Sequence, residues 1–348
     1  MEEGEIVREI IEEKEKKYLA PYATLSVNSQ GRDIPEEPDL IRTCYMRDRD
    51  RIIHSKAFRR LKHKTQVYIS PDNDHYRTRL THTLEVNQIA KTIGKALALN
   101  EDLIEAIALA HDVGHTPFAH TGEDVLNNLM EKGFRHNENS VRVLTKIEKG
   151  SLGRGLNLSK EVLDGVYHHS GFGVSKQSAQ TLEGQIIRYS DKIAYVQHDI
   201  DDSIRAGILK EEDLPQEYIE ILGDTHSKRI ATLVTDLIYY SKERLEKDHK
   251  ALISLSPEVE KALVGLRKFM FEHVYKGEIC SVERERAMFV VEYIFKYYMK
   301  NPDKLPDFYL EIAKEEGLER GVADYISGMS DNYCIDLFKE LVIPKSLV

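Results

Sequence analysis

The chain contains no tryptophan, and its 348 residues include only three cysteines, ten prolines and twenty glycines. Cys44, Cys280 and Cys334 lie far apart with no CxxC pair, so a disulfide framework or cysteine zinc site is not offered. Free thiols in a reducing compartment are the plain reading. Long apolar runs are also missing; none approaches the roughly 18 residues of a membrane helix. Met1 to Lys17 is acidic and helical in pattern, with Ile6, Ile10 and Ile11 on one side. A secretory leader needs a basic start and an apolar stretch instead. A soluble, cytoplasmic protein with no membrane partner is the expectation. With 41% hydrophobic and 31% charged residues, the composition is that of an ordinary globular chain long enough for one or two domains.

Net positive charge is lacking as well. The formal charge of −10 disfavours general attraction to nucleic acid or anionic lipid. The distribution is uneven, however. Between Arg42 and Lys64 there are nine Lys or Arg against two Asp, so an acidic chain concentrates positive charge in one short segment. Reception of a localised anion is one reading, and a solvated basic helix face is the other.

Alternating strand patterns are scarce and helical spacing is common. Helices are expected over Leu80–Leu99, Glu101–His111, Thr121–Lys132, His136–Ile147, Leu182–Arg205 and His226–Lys247, with more after Pro257. Gly114 and Pro117 stop the second helix, and Thr121 offers an N-cap for the third. Lys149–Asn157 and Ser170–Ser178 read as loops. The fold class is all-α, one helical domain with a C-terminal helical extension joined somewhere in 210–260.

Three of these helices carry a metal-type ligand on the apolar stripe. His82 shares a face with Val86, Ile89, Ile93 and Leu97. His111 follows Ile104 and Ile107, with Asp112 next to it. Asp191 lies in line with Gly184, Ile187, Ala194 and His198. An ionised Asp facing a core is costly unless paired or bound to metal. Two histidines and two carboxylates make an N2O2 site suited to Mn, Fe, Co, Ni or Zn. A satisfied core histidine or a capping Asp explains each residue taken singly. The density of His111-Asp-Val-Gly-His-Thr-Pro-Phe-Ala-His-Thr-Gly-Glu123, three histidines and two acids in thirteen residues, is harder to explain that way.

This ordered pattern resembles the HD superfamily of metal phosphohydrolases, whose ligands run H…HD…D. Within it, the chain resembles the bacterial dGTPase-like deoxynucleoside triphosphate triphosphohydrolases, relatives of the mammalian SAM-and-HD-domain dNTP hydrolase. The blocks that carry the resemblance are Arg47–His54, Ala57–Leu61 and Lys64–Val67, then Arg79–Val86, Tyr189–Ile200 and Ala323–Asp331. Residues 207–300 match weakly. The resemblance implies an HD-domain helical bundle divided as an N-terminal helix and arm (1–40), a phosphohydrolase core (41–210) and a C-terminal helical region (211–348).

It also implies site roles. His82, His111, Asp112 and Asp191 match the metal ligands. His120 matches the catalytic histidine and Glu123 its acidic partner. His115 and His136 match positions lining the phosphate pocket; Arg79, Lys192 and Tyr195 resemble residues holding the triphosphate; Gln66 and Asp199 resemble those reading the sugar. The implied reaction is metal-dependent hydrolysis of dNTPs to deoxynucleoside and inorganic triphosphate, with Mg accompanying the triphosphate as a second cation candidate. The implied assembly is a homo-oligomer, with a hexamer as the candidate size and a nucleotide effector or single-stranded DNA as candidate partners. Two rival readings stand beside it. One is another HD phosphohydrolase, acting as a nucleotidase or on cyclic nucleotides or guanosine tetraphosphate. The other is a nucleotide- or ssDNA-binding protein with little turnover.

Overall fold

The computed structural model describes residues 6–66, 77–171, 178–275 and 277–344, without the side chains of 278–280. The Ser170–Ser178 segment therefore lies largely outside the described residues, as do Val67 of the Lys64–Val67 motif and the side chain of Cys280. Of the other thiols, Cys334 is buried and Cys44 half-buried, and both are free.

Sixteen α-helices occur among the described residues, with one two-residue-per-strand hairpin, Lys149–Gly150 against Gly153–Arg154. The N-terminal half holds α1 (Val7–Tyr18), α2 (Cys44–Ile53), α3 (Lys56–Arg60), α4 (Arg79–Ala96), α5 (Glu101–Ala110), α6 (Ala119–Leu129), α7 (His136–Arg142), α8 (Lys160–His168) and α9 (Leu182–Arg205). Then follow α10 (Gln216–Leu222), α11 (His226–Lys247), α12 (Pro257–Met270), α13 (Glu278–Lys300), α14 (Asp307–Glu316), α15 (Leu318–Ser327) and α16 (Asp331–Val342). No helix among the described residues is long and apolar enough to cross a membrane.

Helix α5 is the axis of the larger core. Leu103, Ile104 and every residue from Ala106 to Ala110 are buried, and α2, α4, α8 and α9 pack around it. A helix apolar on all sides has no stable place at a surface. Its start is set by Asn100, whose Oδ1 accepts from the amides of Asp102 (3.1 Å) and Leu103 (3.3 Å), with Glu101 and Asp102 in the first turn. Thr78 and Thr81 form a capping box at the head of α4, and Thr181 caps α9. The larger core runs from Tyr45 to Val274; a second apolar cluster joins Phe118–Phe134 to α13, α15 and α16.

Two expectations are corrected, and one helix is added to them. Thr121 does not cap α6: the helix starts at Ala119, after Phe118 in the left-handed region (φ 59°). A tertiary bond decides this, because the Phe118 amide is held by Asp331 Oδ1 (2.9 Å) from far along the chain. The fourth expected helix is α-helical only to Arg142 and widens to a π turn over Val143–Ile147. Helix α8 was not anticipated, although Val162, Val166 and His169 follow helical spacing and are all buried.

The turn after α5 is closed by side chains from α7. Ser140 Oγ donates to His111 O (2.7 Å) and accepts from the Gly114 amide (3.0 Å), while Asn139 Nδ2 donates to Gly114 O (2.7 Å). The approach is so close that a Cβ at Gly114 would lie 2.1 Å from the Ser140 nitrogen. Backbone cannot swing aside as a flexible side chain can. Gly114→Ala should cost about 1–3 kcal/mol, the usual range for overpacking, and urea unfolding of wild type and variant would measure it. An unchanged midpoint would refute this account of the turn.

Candidate metal centre and active site

Helices α4, α5 and α9 bring the four ligand-type residues together at the C-terminal end of α5. His82 Nε2 lies 3.1 Å from Asp191 Oδ1 and 3.9 Å from Asp112 Oδ2. His111 Nε2 lies 3.4 Å from Asp112 Oδ2 and 3.9 Å from Asp191 Oδ1. His82, His111 and Asp112 are buried, and Asp191 is half-buried.

The proton positions on these residues decide whether they fit a cation. His111 Nδ1 is 2.6 Å from the carbonyl of Ala108, which only accepts, so Nδ1 carries the hydrogen. In the neutral ring, Nε2 is then a buried lone pair without a hydrogen-bond partner, directed at two carboxylates. Acceptors facing acceptors in a core require a proton or a cation between them. Without a cation a proton takes that place. Burial disfavours the imidazolium, but Asp112 and Asp191 outweigh it and lift His111 to about 9. Burial also pushes Asp112 up, yet His111, His115 and Arg79 hold it well below the usual carboxylate range. The fold carries other buried acids that need no such partner. Glu183 accepts from the Thr24 amide (2.9 Å) and hydroxyl (2.8 Å), and Asp48 from Ser159 and Arg32.

A second layer surrounds the four. Arg79 is buried and donates from Nη1 to Asp112 Oδ2 (2.6 Å). His115 Nε2 is 3.3 Å from Asp112 Oδ1, and its ring stacks on His136 at 4.0 Å. Glu123 binds two imidazoles at once, His120 through Nδ1 (3.0 Å) and His136 through Nδ1 (2.9 Å). Burial alone would raise the Glu123 carboxyl; His136 and His120 reverse the sign and keep it ionised far below its ordinary range. His120 is 58% exposed, the open member of this group. It follows Phe118 and Ala119, both with positive φ, which places backbone strain directly before it.

Along α9, Lys192 is buried with its ammonium 5.1 Å over the Tyr189 ring, and burial pushes it down to about 8. Tyr195 is half-buried and stacks on Tyr275 at 6.1 Å; the Tyr275 hydroxyl donates to Asp199 Oδ2. Asp199 is fully buried, with Oδ1 unpartnered and the carboxyl raised well above its usual range by that burial. Gln66 is buried with Oε1 unpartnered, beside the pairing of Thr65 with Thr78.

The basic run does not act as one unit. Arg42 pairs with Asp39 and Asp50, and Arg47 and Arg51 share Glu36. With Lys56, Arg59 and Lys62 they line a cleft of about 1180 Å³ against the segment 147–157, which contains the hairpin, and none of the metal-type ligands lines it. Lys64 goes the other way. It is buried, donates to the carbonyls of His115 and of Ser327 (2.8 Å), and is pushed by burial down to about 7.

Sequence reasoning missed three residues. His169 lies 5.0 Å ring to ring from His111, at the C-cap of α8, a helix the sequence reading does not include. Tyr275 falls in the weakly matching 207–300 stretch. Lys64 was counted as basic charge, when its contacts are to backbone.

Two family models match the chain. The HD domain model matches residues 79–196, and the phosphohydrolase-associated domain model matches residues 253–340. Helices and site thus define an HD-domain phosphohydrolase. A deoxyguanosinetriphosphate triphosphohydrolase-like protein of Clostridium tetani is 59% identical over 344 residues, covering 98% of each chain. Proteins of the same description from Clostridium perfringens strain 13 and Caldanaerobacter subterraneus are 57% and 56% identical, over 97% of this chain and 98% and 96% of theirs. The chain belongs to this deoxyguanosinetriphosphate triphosphohydrolase-like family.

The proton on His111 gives a signed expectation. It must leave before Nε2 can bind a cation, so divalent metal affinity should rise as pH increases towards about 9, with proton release on binding. Calorimetry of Mn2+ binding in buffers of different ionisation enthalpy reads the released proton. His111→Ala should abolish both binding and release; stoichiometric metal in that variant would remove His111 from the ligand set.

Proposed function

We propose that this protein hydrolyses deoxynucleoside triphosphates, dGTP or several dNTPs, to deoxynucleoside and inorganic triphosphate in a metal-dependent reaction. The observation that carries this reading is the convergence of His82, His111, Asp112 and Asp191 beside the His120–Glu123–His136 group. The names of the relatives supply the substrate class. Mn, Fe, Co, Ni or Zn suits the mixed imidazole and carboxylate set, and Mg would enter with the triphosphate. A cation bound there lowers the pKa of water and polarises the phosphate under attack.

The protein's own groups do the rest. Asp112 and Asp191 keep His82 and His111 oriented, and Arg79 holds the remaining charge of Asp112. Lys192, still largely protonated at neutral pH, offsets phosphate charge from the α9 side. His120 protonates the departing 5′ oxygen, and its Nδ1–H bond to the Glu123 carboxylate orients the ring. Exposure of His120 suits a group that must meet substrate. Gln66 and Asp199, each with an unpartnered buried oxygen, are assigned to the sugar hydroxyl, and the Tyr195–Tyr275 stack to the wall beside C2′. A nucleotide effector or single-stranded DNA is assigned to the basic cleft. A homo-oligomer accords with the exposed Phe289 beside Tyr293 and Phe338.

A panel of four dNTPs and four NTPs, with products resolved by chromatography, tests the reading. Deoxynucleotides should lead by at least about tenfold in kcat/KM, since a 2′ oxygen against a rigid aromatic wall clashes or loses its hydrogen bond. Tyr195→Ala should narrow the gap; equal rates on dGTP and GTP in the wild type would refute the sugar wall. His120→Ala should retain metal while kcat falls by ~10²–10⁴. A change in KM alone would make His120 a binding residue.

A further inference from the structure

Asp331 touches two parts of the proposed site and lies in neither. It opens α16 directly after the N-cap Ser330, and its side chain is buried. Oδ1 accepts from the Phe118 amide at 2.9 Å, while Oδ2 accepts from the Thr65 amide at 2.9 Å and from the Thr65 hydroxyl. Phe118 stands two residues before His120, and Thr65 is the chain neighbour of Gln66.

On the His120 side the backbone shows why a tether is needed. Phe118 and Ala119 hold φ values of 59° and 54°, a region that residues other than glycine keep only where their surroundings enforce it. Thr116 Oγ1 closes the turn from within by donating to Ala119 O (2.8 Å), and Asp331 holds it from outside through the Phe118 amide. His120 itself is 58% exposed, so the turn before it, more than its own packing, sets where its ring stands. On the other side, Lys64 donates to the carbonyl of His115. The stretches Lys64–Gln66 and His115–His120 are therefore joined twice, once directly and once through the Asp331 carboxylate.

We propose that Asp331 is a positioning residue that holds His120 and Gln66 in one frame, so that proton delivery and sugar discrimination depend on the same carboxylate. That role rests on the ones proposed above for His120 and Gln66. Asp331 acts through the Phe118 amide at one end and through Thr65 at the other. Asp331→Ala releases both ends. Asp331→Asn leaves one acceptor oxygen in place of two, and one end must then face a donor.

The experiment compares wild type, both Asp331 variants and each of these combined with His120→Ala, using Mn2+-loaded protein with dGTP and GTP as substrates. Hydrogen exchange read by mass spectrometry follows the tethers independently of activity. In Asp331→Ala, exchange should accelerate in the peptides containing Thr65 and Phe118. Bound metal should stay at the wild-type level, kcat per folded chain should fall by roughly 10–10²-fold, the scale of a misplacement of about 1 Å, and the preference for dGTP over GTP should narrow. Asp331→Asn, closer in volume, should show the same changes in smaller size and covers the case in which the Ala variant fails to fold. In the His120→Ala background neither change should lower kcat further, because the group being positioned is gone. Cys334→Ala, also buried on α16, loosens that helix without touching either tether and should keep the wild-type kcat per folded chain. A kcat or a sugar preference at the wild-type value in both Asp331 variants, or a loss of equal size with and without His120, overturns the inference and leaves the proposed function standing. Wild-type kcat in His120→Ala alone overturns both.

Discussion

The site depends on how α5 ends. A helix whose last turn, Ala106–Ala110, is wholly buried must terminate inside the protein, where its last carbonyls have no water to turn to. Side chains from elsewhere take that role: Ser140 and Asn139 satisfy His111 and Gly114, Lys64 satisfies His115, and Asp331 holds the amide of Phe118. The residues between His111 and His120 are thereby fixed from α7, from the segment before α4 and from the C-terminal helices. Without Gly at 114 the α7 backbone could not come close enough to do this.

Burial then sorts the acids into two kinds. Glu183 and Asp48 receive amide, hydroxyl or guanidinium donors and need nothing further. Asp112 and Asp191 also face imidazole nitrogens, groups able to exchange a proton for a metal, although Asp112 takes the Arg79 guanidinium as well. The pH range in which a metal binds is linked to this arrangement, since the carboxylates that would share the cation also raise the His111 pKa. Tautomers are set one shell out, by Ala108, Val166 and Glu123. Histidines so close together can avoid mutual charge repulsion because several stay neutral; burial beside His111 and His136, for instance, pushes His169 down to about 4.

The C-terminal helices contribute to the site although they hold none of the metal-type residues. Asp331 binds Thr65 and Phe118, and Ser327 binds Lys64, so the Ala323–Asp331 motif ties the basic segment to the turn before His120. Backbone strain at Phe118 and Ala119 persists because these contacts over-determine it.

The sequence by itself determined the helical class, the span of most helices and the inward placement of His82, His111 and Asp191, because all three follow from a 3.6-residue period over long amphipathic segments. The dense His111–Glu123 string was legible for the same local reason. Tertiary structure alone decided the start of α6, since a left-handed Phe118 stabilised by a distant Asp331 overrides Thr121 as a cap. It alone decided that Arg47 and Arg51 would be paired by Glu36 while Lys64 turned inward, because charge counts do not say which acid the fold brings near. It also decided that His169 and Tyr275 would join the site. No local period encodes a contact between helices separated by dozens of residues; only the packing of α8 and of the 271–275 turn against the α5–α9 core supplies it.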